Sequence, residues 1–346
     1  MKRPSMVLAV LVGALLLSAC GGTAATDESP SASAESSSAN AVSEAFANPA
    51  EALANPDAGA EDLINAWFGL LALAAPSDGK VATTSEEVEA GMKVMRTYLD
   101  PAFTLVRATG QRYTADNFVP LNVGAYELSD FVVAEPREDV RVIRFFVTQA
   151  GTTSPDAGVV MSEEKAPRIV VLRWDEELGH WVMVSYANFN SAVAAICDQD
   201  PIVISGKTPN TSPEELALAA SLVEKNVANA TGKSTEQLAH PDYQVQFADG
   251  QGWPSEEEAM IDDWTPAQSY EVDNVGVTRN DDLLVLSYDA AVKDVVIEGD
   301  DYRDAASPRL YTYLRSPEGK WQQIALGNFN VPEDIPADTE CVSVNP

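Results

Sequence analysis

Three cysteines, two histidines and an excess of acids bound the chemistry available to this chain. The cysteines are Cys20, Cys197 and Cys341, with no Cys-x-x-Cys pair, and the histidines are His180 and His240. A zinc site draws three or four such ligands to one point, and these five, with no paired spacing and only two histidines among them, offer no such set. His180 stands in a turn before Trp181 and reads as a surface residue. His240, before Pro241, reads as a surface cation complementing the end of a helix. Glu256, Glu257 and Glu258, then Asp262 and Asp263, then Glu298, Asp300, Asp301 and Asp304 are acid-rich stretches. None has the alternating loop spacing of a calcium site, so they read as solvated loops. No metal and no cofactor is expected.

The elements around these residues begin with an export pattern. Lys2 and Arg3 precede an apolar run over residues 6–19, too short to span a bilayer. The run ends in Leu17-Ser18-Ala19-Cys20, which resembles the bacterial lipobox. That resemblance implies a signal peptide over residues 1–19, cleavage before Cys20 and lipidation of its thiol. The expected place is the extracytoplasmic face of the cell membrane, with lipid chains as the membrane partner. Residues 20–57, rich in Ser and Ala, read as a disordered tether with a reach of about 30 Å. In an exported protein Cys197 and Cys341 form an even pair, which predicts a disulfide tying the C-terminal tail to the linker between two halves. The net charge of -31 excludes nucleic acid as a partner.

Two halves follow from an internal repeat. APRIVVLRWDEELGHWVMVSYANFN at 166–190 returns as SPRLYTYLRSPEGKWQQIALGNFN at 307–330, and Trp181 and Trp321 stand 140 residues apart. The same offset aligns Pro101 with Pro241, Phe103 with Tyr243 and Gly110 with Gly250. Apolar runs at 138–147 and 281–292 also correspond. Each copy opens with helical spacing: 61–74 and 85–99 in the first, and a helix capped by Ser212 in the second. Each then gives at least three long strands joined by polar turns, which suggests antiparallel pairing. The domains expected are 58–197 and 198–346.

This order resembles the nuclear-transport-factor-2-like superfamily and, within it, the SnoaL-like cyclase relatives. PDYQVQFADG at 241–250 and GKWQQIALGNFN at 319–330 carry the resemblance. It implies an α+β fold: two tandem cones, each with N-terminal helices packed on a curved antiparallel sheet. It also implies sheet-against-sheet packing, so that a fused monomer imitates a homodimer. Enzymes of that superfamily use an Asp or a His–Asp pair as a base inside the cone. Asp289, with Ser287 on the same strand face, is the candidate here; the first copy carries Arg144 and Phe146 at the comparable place. The candidates for pocket lining are Phe146, Tyr288, Tyr311 and Tyr313. Three functions remain open: non-enzymatic binding of a small apolar ligand or a cell-envelope protein, a cyclase or isomerase using a pocket carboxylate, and a structural role in the envelope.

A Cys20→Ser change is expected to abolish metabolic labelling of the protein with palmitate. Labelling at the wild-type level would remove the lipid anchor.

Overall fold

The computed structural model describes residues 48–74, 85–118, 124–154, 157–197, 211–253, 266–293, 296–297, 300–301, 305–332 and 334–343. Cys20, the acids at 256–258 and 262–263, Glu298 and Asp304 lie outside them. The first half opens with helices α1 (Pro49–Leu53), α2 (Ala60–Ala74) and α3 (Ser85–Met95). Strands follow: β1 (Leu99–Arg107), β2 (Arg112–Thr114), β3 (Tyr126–Arg137), β4 (Val140–Gln149), β5 (Thr153–Ser154), β6 (Val159–Met161), β7 (Ala166–Asp175), β8 (His180–Asn188) and β9 (Ala192–Ala195). The second half has helix α4 (Pro213–Ala230), then β10 (Ala239–Phe247), β11 (Gly252–Trp253), β12 (Ser269–Asn280) and β13 (Leu283–Lys293). Its last strands are β14 (Val296–Ile297), β15 (Asp300–Asp301), β16 (Ser307–Arg315) and β17 (Trp321–Asn328).

The repeat in sequence is a repeat in topology. One six-stranded sheet has the order β2-β1-β8-β7-β4-β3, and the other has β11-β10-β17-β16-β13-β12. These match strand for strand, and the fold is α+β with two curved sheets. The expected antiparallel pairing holds through β3-β4-β7-β8 and its counterpart, whereas β1 joins β8, and β10 joins β17, in parallel. The edge strands β3 and β12 were not legible as strands. Their burial follows no clean period of two, because each is broken by a bulge at a left-handed residue, Asp130 (φ 57°) and Asn274 (φ 52°).

Period two sends alternate residues of each strand to opposite faces, and both faces are covered. On the inner face of the first sheet, Ile143, Phe145, Val170 and Leu172 pack under Trp67, Phe68 and Leu71 of α2. Glu61 and Asp62 in the first turn of α2 complement its dipole. Ser212 caps α4 with a reciprocal pair of hydrogen bonds to Glu215, and Pro213 fills the first helical position. Two expectations are corrected here. The tether does not run to residue 57: α1 buries Leu53 in the first core, and the Asn55 carbonyl accepts the Trp181 indole N–H at 3.1 Å. His240 is not at a helix end but within β10, where its Nδ1 accepts the Asp242 N–H at 3.1 Å and burial lowers its pKa.

The outer faces cover each other. Val140, Val142, Ile169 and Val171 meet Leu283, Val285, Leu310 and Ile324 in one apolar layer. Phe189 stacks on its own repeat partner Phe329, with ring centroids 4.4 Å apart. Gly327 lies against its partner Ala187: a Cβ on Gly327 would stand 2.6 Å from the Ala187 Cβ. Residues that touch their own counterparts mark a two-fold axis, so the halves are related as the subunits of a symmetric dimer. Hydrogen bonds cross the layer, from Ser185 to Thr312 at 2.7 Å, Thr104 to Thr278 at 2.8 Å and Asn280 to Asp100 at 3.1 Å. Arg137 pairs with Asp282 across the same contact.

The tail returns to the first half. β5, β6 and β9 form a small sheet, and Val342 extends it through Val342 N–H to Ala195 O and Cys197 N–H to Val342 O, both 2.9 Å. Cys197 and Cys341 are joined as a disulfide. Closing a loop of 144 residues contributes on the order of 5 kcal/mol in the chain-entropy picture.

Gly327→Ala should destabilise the protein by about 1–3 kcal/mol through overpacking at the axis. Adding Ala187→Gly should recover part of that loss. Urea unfolding of the single and double variants checks both signs.

Candidate functional site

Strand register brings most of the tyrosines of the second half together. Tyr311 and Tyr313 are two apart on β16 and share its inner face. Leu286 and Leu284 of β13 pair with them, so Tyr288 continues the same face one step further along β13. Tyr243 from β10 joins this core, with Tyr270 of β12 at its margin. Tyr288 and Tyr311 rings stack with centroids 5.6 Å apart, and Tyr311 and Tyr313 at 6.1 Å.

The hydroxyls converge on two amides. Asn226 of α4 donates to Tyr313 Oη at 2.9 Å and to Tyr288 Oη at 3.3 Å, while its Oδ1 accepts from Tyr313 at 3.1 Å. Gln323 of β17 donates to Asn226 Oδ1 at 2.8 Å. Tyr270 and Tyr288 hydroxyls lie 3.3 Å apart. Burial raises the pKa of Tyr288, Tyr311 and Tyr313 above the ordinary tyrosine value, because the phenolate would lose its hydration. The site is a neutral array of phenols and amides that donates and accepts hydrogen bonds. Around it Phe247, Trp253, Tyr270 and Trp321 are half-buried.

Tyr288, Tyr311 and Tyr313 thus share the inner face. Two other candidates do not join them. Asp289 is corrected from a cone base to a contact between the halves: it follows Tyr288, so it points to the opposite face. There it pairs with Arg112 of the first half and accepts from Asn274 at 2.7 Å. Ser287 shares that outer face and is buried. Phe146 is corrected likewise. Its ring stands 3.4 Å from where a Cβ on Gly250 would lie, across the contact between halves, with Lys165 4.9 Å from its centroid. Arg144, beside it, donates to Gln244 of the second half at 2.9 Å. Among the described residues the one fully buried carboxylate is Asp100, which is held by Arg173 and Asn280 and is not near the tyrosines' face.

Asn226 and Gln323 were missed from the sequence. Asn226 had a signal: it lies on the buried stripe of α4 with Ala219 and Leu222, three and four residues apart. A lone amide on an apolar helix stripe calls for buried partners. Among the described residues the first half has no corresponding cluster of tyrosines around a helix amide. Trp67, Phe103, Tyr113 and Phe118 fill its inner face with ring contacts between 5.4 and 6.4 Å. His180 remains at the surface, 2.8 Å from the Thr97 carbonyl. Among the described residues no group of three or more His, Cys, Asp or Glu could hold a metal, and no helix is long and apolar enough to cross a membrane.

No protein-family model matches the chain, and no curated protein matches it. Solved structures that it resembles include NTF2-like proteins. One from Cytophaga hutchinsonii is 17% identical, matches 34% of this chain and 96% of its own, and has a TM-score of 0.27. A putative ketosteroid isomerase from Shewanella frigidimarina is 13% identical over 32% and 92%, with a TM-score of 0.26. An NTF2-like protein with a cystatin-like fold from Novosphingobium aromaticivorans is 15% identical over 35% and 82%, with a TM-score of 0.24.

The raised tyrosine pKa values have a consequence for alkaline stability. A group whose folded pKa exceeds its unfolded value of about 10 stabilises the fold fully below that pH and less as pH rises through the folded pKa. Exposed tyrosines should therefore ionise first in an absorbance titration at alkaline pH. Tyr288, Tyr311 and Tyr313 should ionise only as the circular dichroism of the fold is lost. A single reversible transition of all 10 tyrosines near the ordinary value, with the fold intact, would contradict the network.

Proposed function

We propose that this chain is a lipid-anchored, extracytoplasmic binding module for a small, largely apolar molecule, and that the second half holds the site. One observation carries the reading. The inner face of the second half gathers Tyr288, Tyr311, Tyr313, Asn226 and Gln323 in one hydrogen-bonded array, with no carboxylate within it among the described residues. Phenols and amides orient a ligand oxygen, but at neutral pH they supply no base to take a proton from carbon. The half-buried Phe247, Trp253 and Trp321 offer aromatic area to the rest of the ligand. In this reading the first half, with its inner face filled by Trp67, Phe103 and Phe118, is a support. Lipid at Cys20 and the tether after it would hold the module near the membrane surface, where apolar molecules partition.

The cyclase or isomerase reading requires a base among the tyrosines. Asp289 faces the first half and is paired with Arg112, which disfavours it in that role.

Native mass spectrometry of the chain purified under mild conditions should show a mass adduct of one small molecule. Nile red, a neutral apolar dye, should bind saturably and compete with that molecule. Tyr313→Phe and Asn226→Leu should each lower the bound fraction about tenfold, the loss of one or two buried hydrogen bonds. A wild-type chain that flies at its bare mass and gives no saturable dye signal would overturn the reading.

A further inference from the structure

The array of tyrosines and amides in the second half ends in two arginines. Arg315 follows Tyr313 by two residues on β16, and Trp321 precedes Gln323 by two on β17. Tyr313 is in register with Gln323, and Arg315 with Trp321. On β12, Arg279 is in register with Leu284, which is itself in register with Tyr313. Arg279, Arg315 and Trp321 therefore share the inner face with the array. Strand rise sets the row of Arg315 and Trp321 about 7 Å beyond the row of Tyr313 and Gln323. Both guanidiniums converge on one ring: the Arg279 Cζ lies 5.4 Å, and the Arg315 Cζ 6.0 Å, from the Trp321 centroid.

Acids outnumber bases by 53 to 22 in this chain, so an arginine open to solvent should find a carboxylate. Arg96, Arg112, Arg137, Arg141 and Arg173 each pair with an Asp or a Glu. Arg279 and Arg315 form no ion pair among the described residues. Their hydrogen bonds run from Nε–H to main-chain carbonyls, Asp281 O at 3.2 Å and Gly319 O at 3.4 Å. The Nη groups of both point to no acceptor among the described residues. Glu215 of α4 is in range of the Arg279 charge, but its carboxylate accepts the Ser212 N–H at 2.7 Å as part of the helix cap. Arg315 is exposed, and Arg279 and Trp321 are half-buried, so all three can be reached from solvent.

The first half shows what such an end holds when it is closed. Trp181, the repeat partner of Trp321, is buried, and its indole N–H donates to Asn55 O at 3.1 Å. Arg141 lies over the Trp181 ring with its Cζ 4.5 Å from the centroid. It donates to Ala58 O and, at 3.3 Å, to Pro56 O. Residues 55–58 thus supply oxygens to one tryptophan and one guanidinium. No described segment does this for Trp321, whose indole N–H meets no acceptor among the described residues. A guest that brings anionic oxygens would complete this end.

We propose that the ligand of the second half is an amphiphile with one anionic, oxygen-bearing head, a carboxylate or a phosphate. The head sits between Arg279 and Arg315 against Trp321, and the body runs toward Tyr313 and Gln323. This rests on the reading of the second half as a site for a largely apolar molecule. The net charge of -31 repels anions in general, so a preference for an acid reports a local site. Decanol, decanoate and decyl phosphate are each titrated at neutral pH against the full chain loaded with Nile red. Decanoate or decyl phosphate should displace the dye about tenfold more tightly than decanol, as a partly exposed charge-assisted pair would give, and the tighter of the two identifies the head. In the double variant Arg279→Gln with Arg315→Gln, acid and alcohol should displace the dye at the same concentration. Equal potency of acids and alcohol on the wild-type chain would overturn the head site and leave the apolar site standing. So would a preference for the acid that persists in the double variant. Where Nile red itself fails to bind, the apolar reading falls and calorimetry of decanoate decides the head site alone. Heat that saturates in the wild-type chain and not in the double variant retains it, and no heat from the wild-type chain ends it.

Discussion

A β-sheet in water has two faces, and an apolar face needs cover. Each sheet here is apolar on both sides. Val170 and Leu172 serve one side of the first sheet while Ile169 and Val171 serve the other. Helices cover the inner side, and only the other sheet covers the outer one. Burial of the layer between Val142, Val171, Val285 and Leu310 is therefore the condition on which both halves depend. Neither half can leave the other without exposing a sheet's worth of aliphatic surface. The polar pairs across the contact, from Thr104 with Thr278 to Arg137 with Asp282, fix the register of that layer more than they strengthen it.

Given that layer, the two inner faces were free to differ. In the first half three helices are described, and Trp67 and Phe68 of α2 reach down into the sheet. In the second half one helix is described, and it sends Asn226 down among tyrosines. A core of stacked aromatics is rigid and self-sufficient. A core lined by hydroxyls and amides has directional groups, each of which must find a partner. The same scaffold thus carries one inner face packed with aromatic rings and one built around hydroxyls and amides.

Much of this was legible in the sequence because the repeat preserves period-two alternation around Pro-Arg and Gly-x-Trp. Tyr311 and Tyr313 could be assigned to one face on spacing alone. The same rule contained a warning about Tyr288 and Asp289: neighbours on a strand face opposite ways, so both could not line one pocket. Phe145 and Phe146 stand in the same relation. The disulfide followed from the two cysteines that remain besides Cys20. What the sequence hid was long-range. Arg112 and Asp289 are 177 residues apart, and nothing local announces that they meet. The strands β3 and β12 were hidden by their bulges, and α1 by the Ser- and Ala-rich composition upstream of it.

The stacking of Phe189 on Phe329 places a dyad inside a single polypeptide. In a true homodimer every substitution near such an axis is made twice, so a favourable change on one side is matched by the same change on the other. Joining the two copies in one chain removes that coupling. Arg112 faces Asp289, while at the mirrored place Arg144 reaches over Gly252 toward Gln244. Lineages that fuse their subunits in this way can retain the geometry of a pair while letting one member specialise.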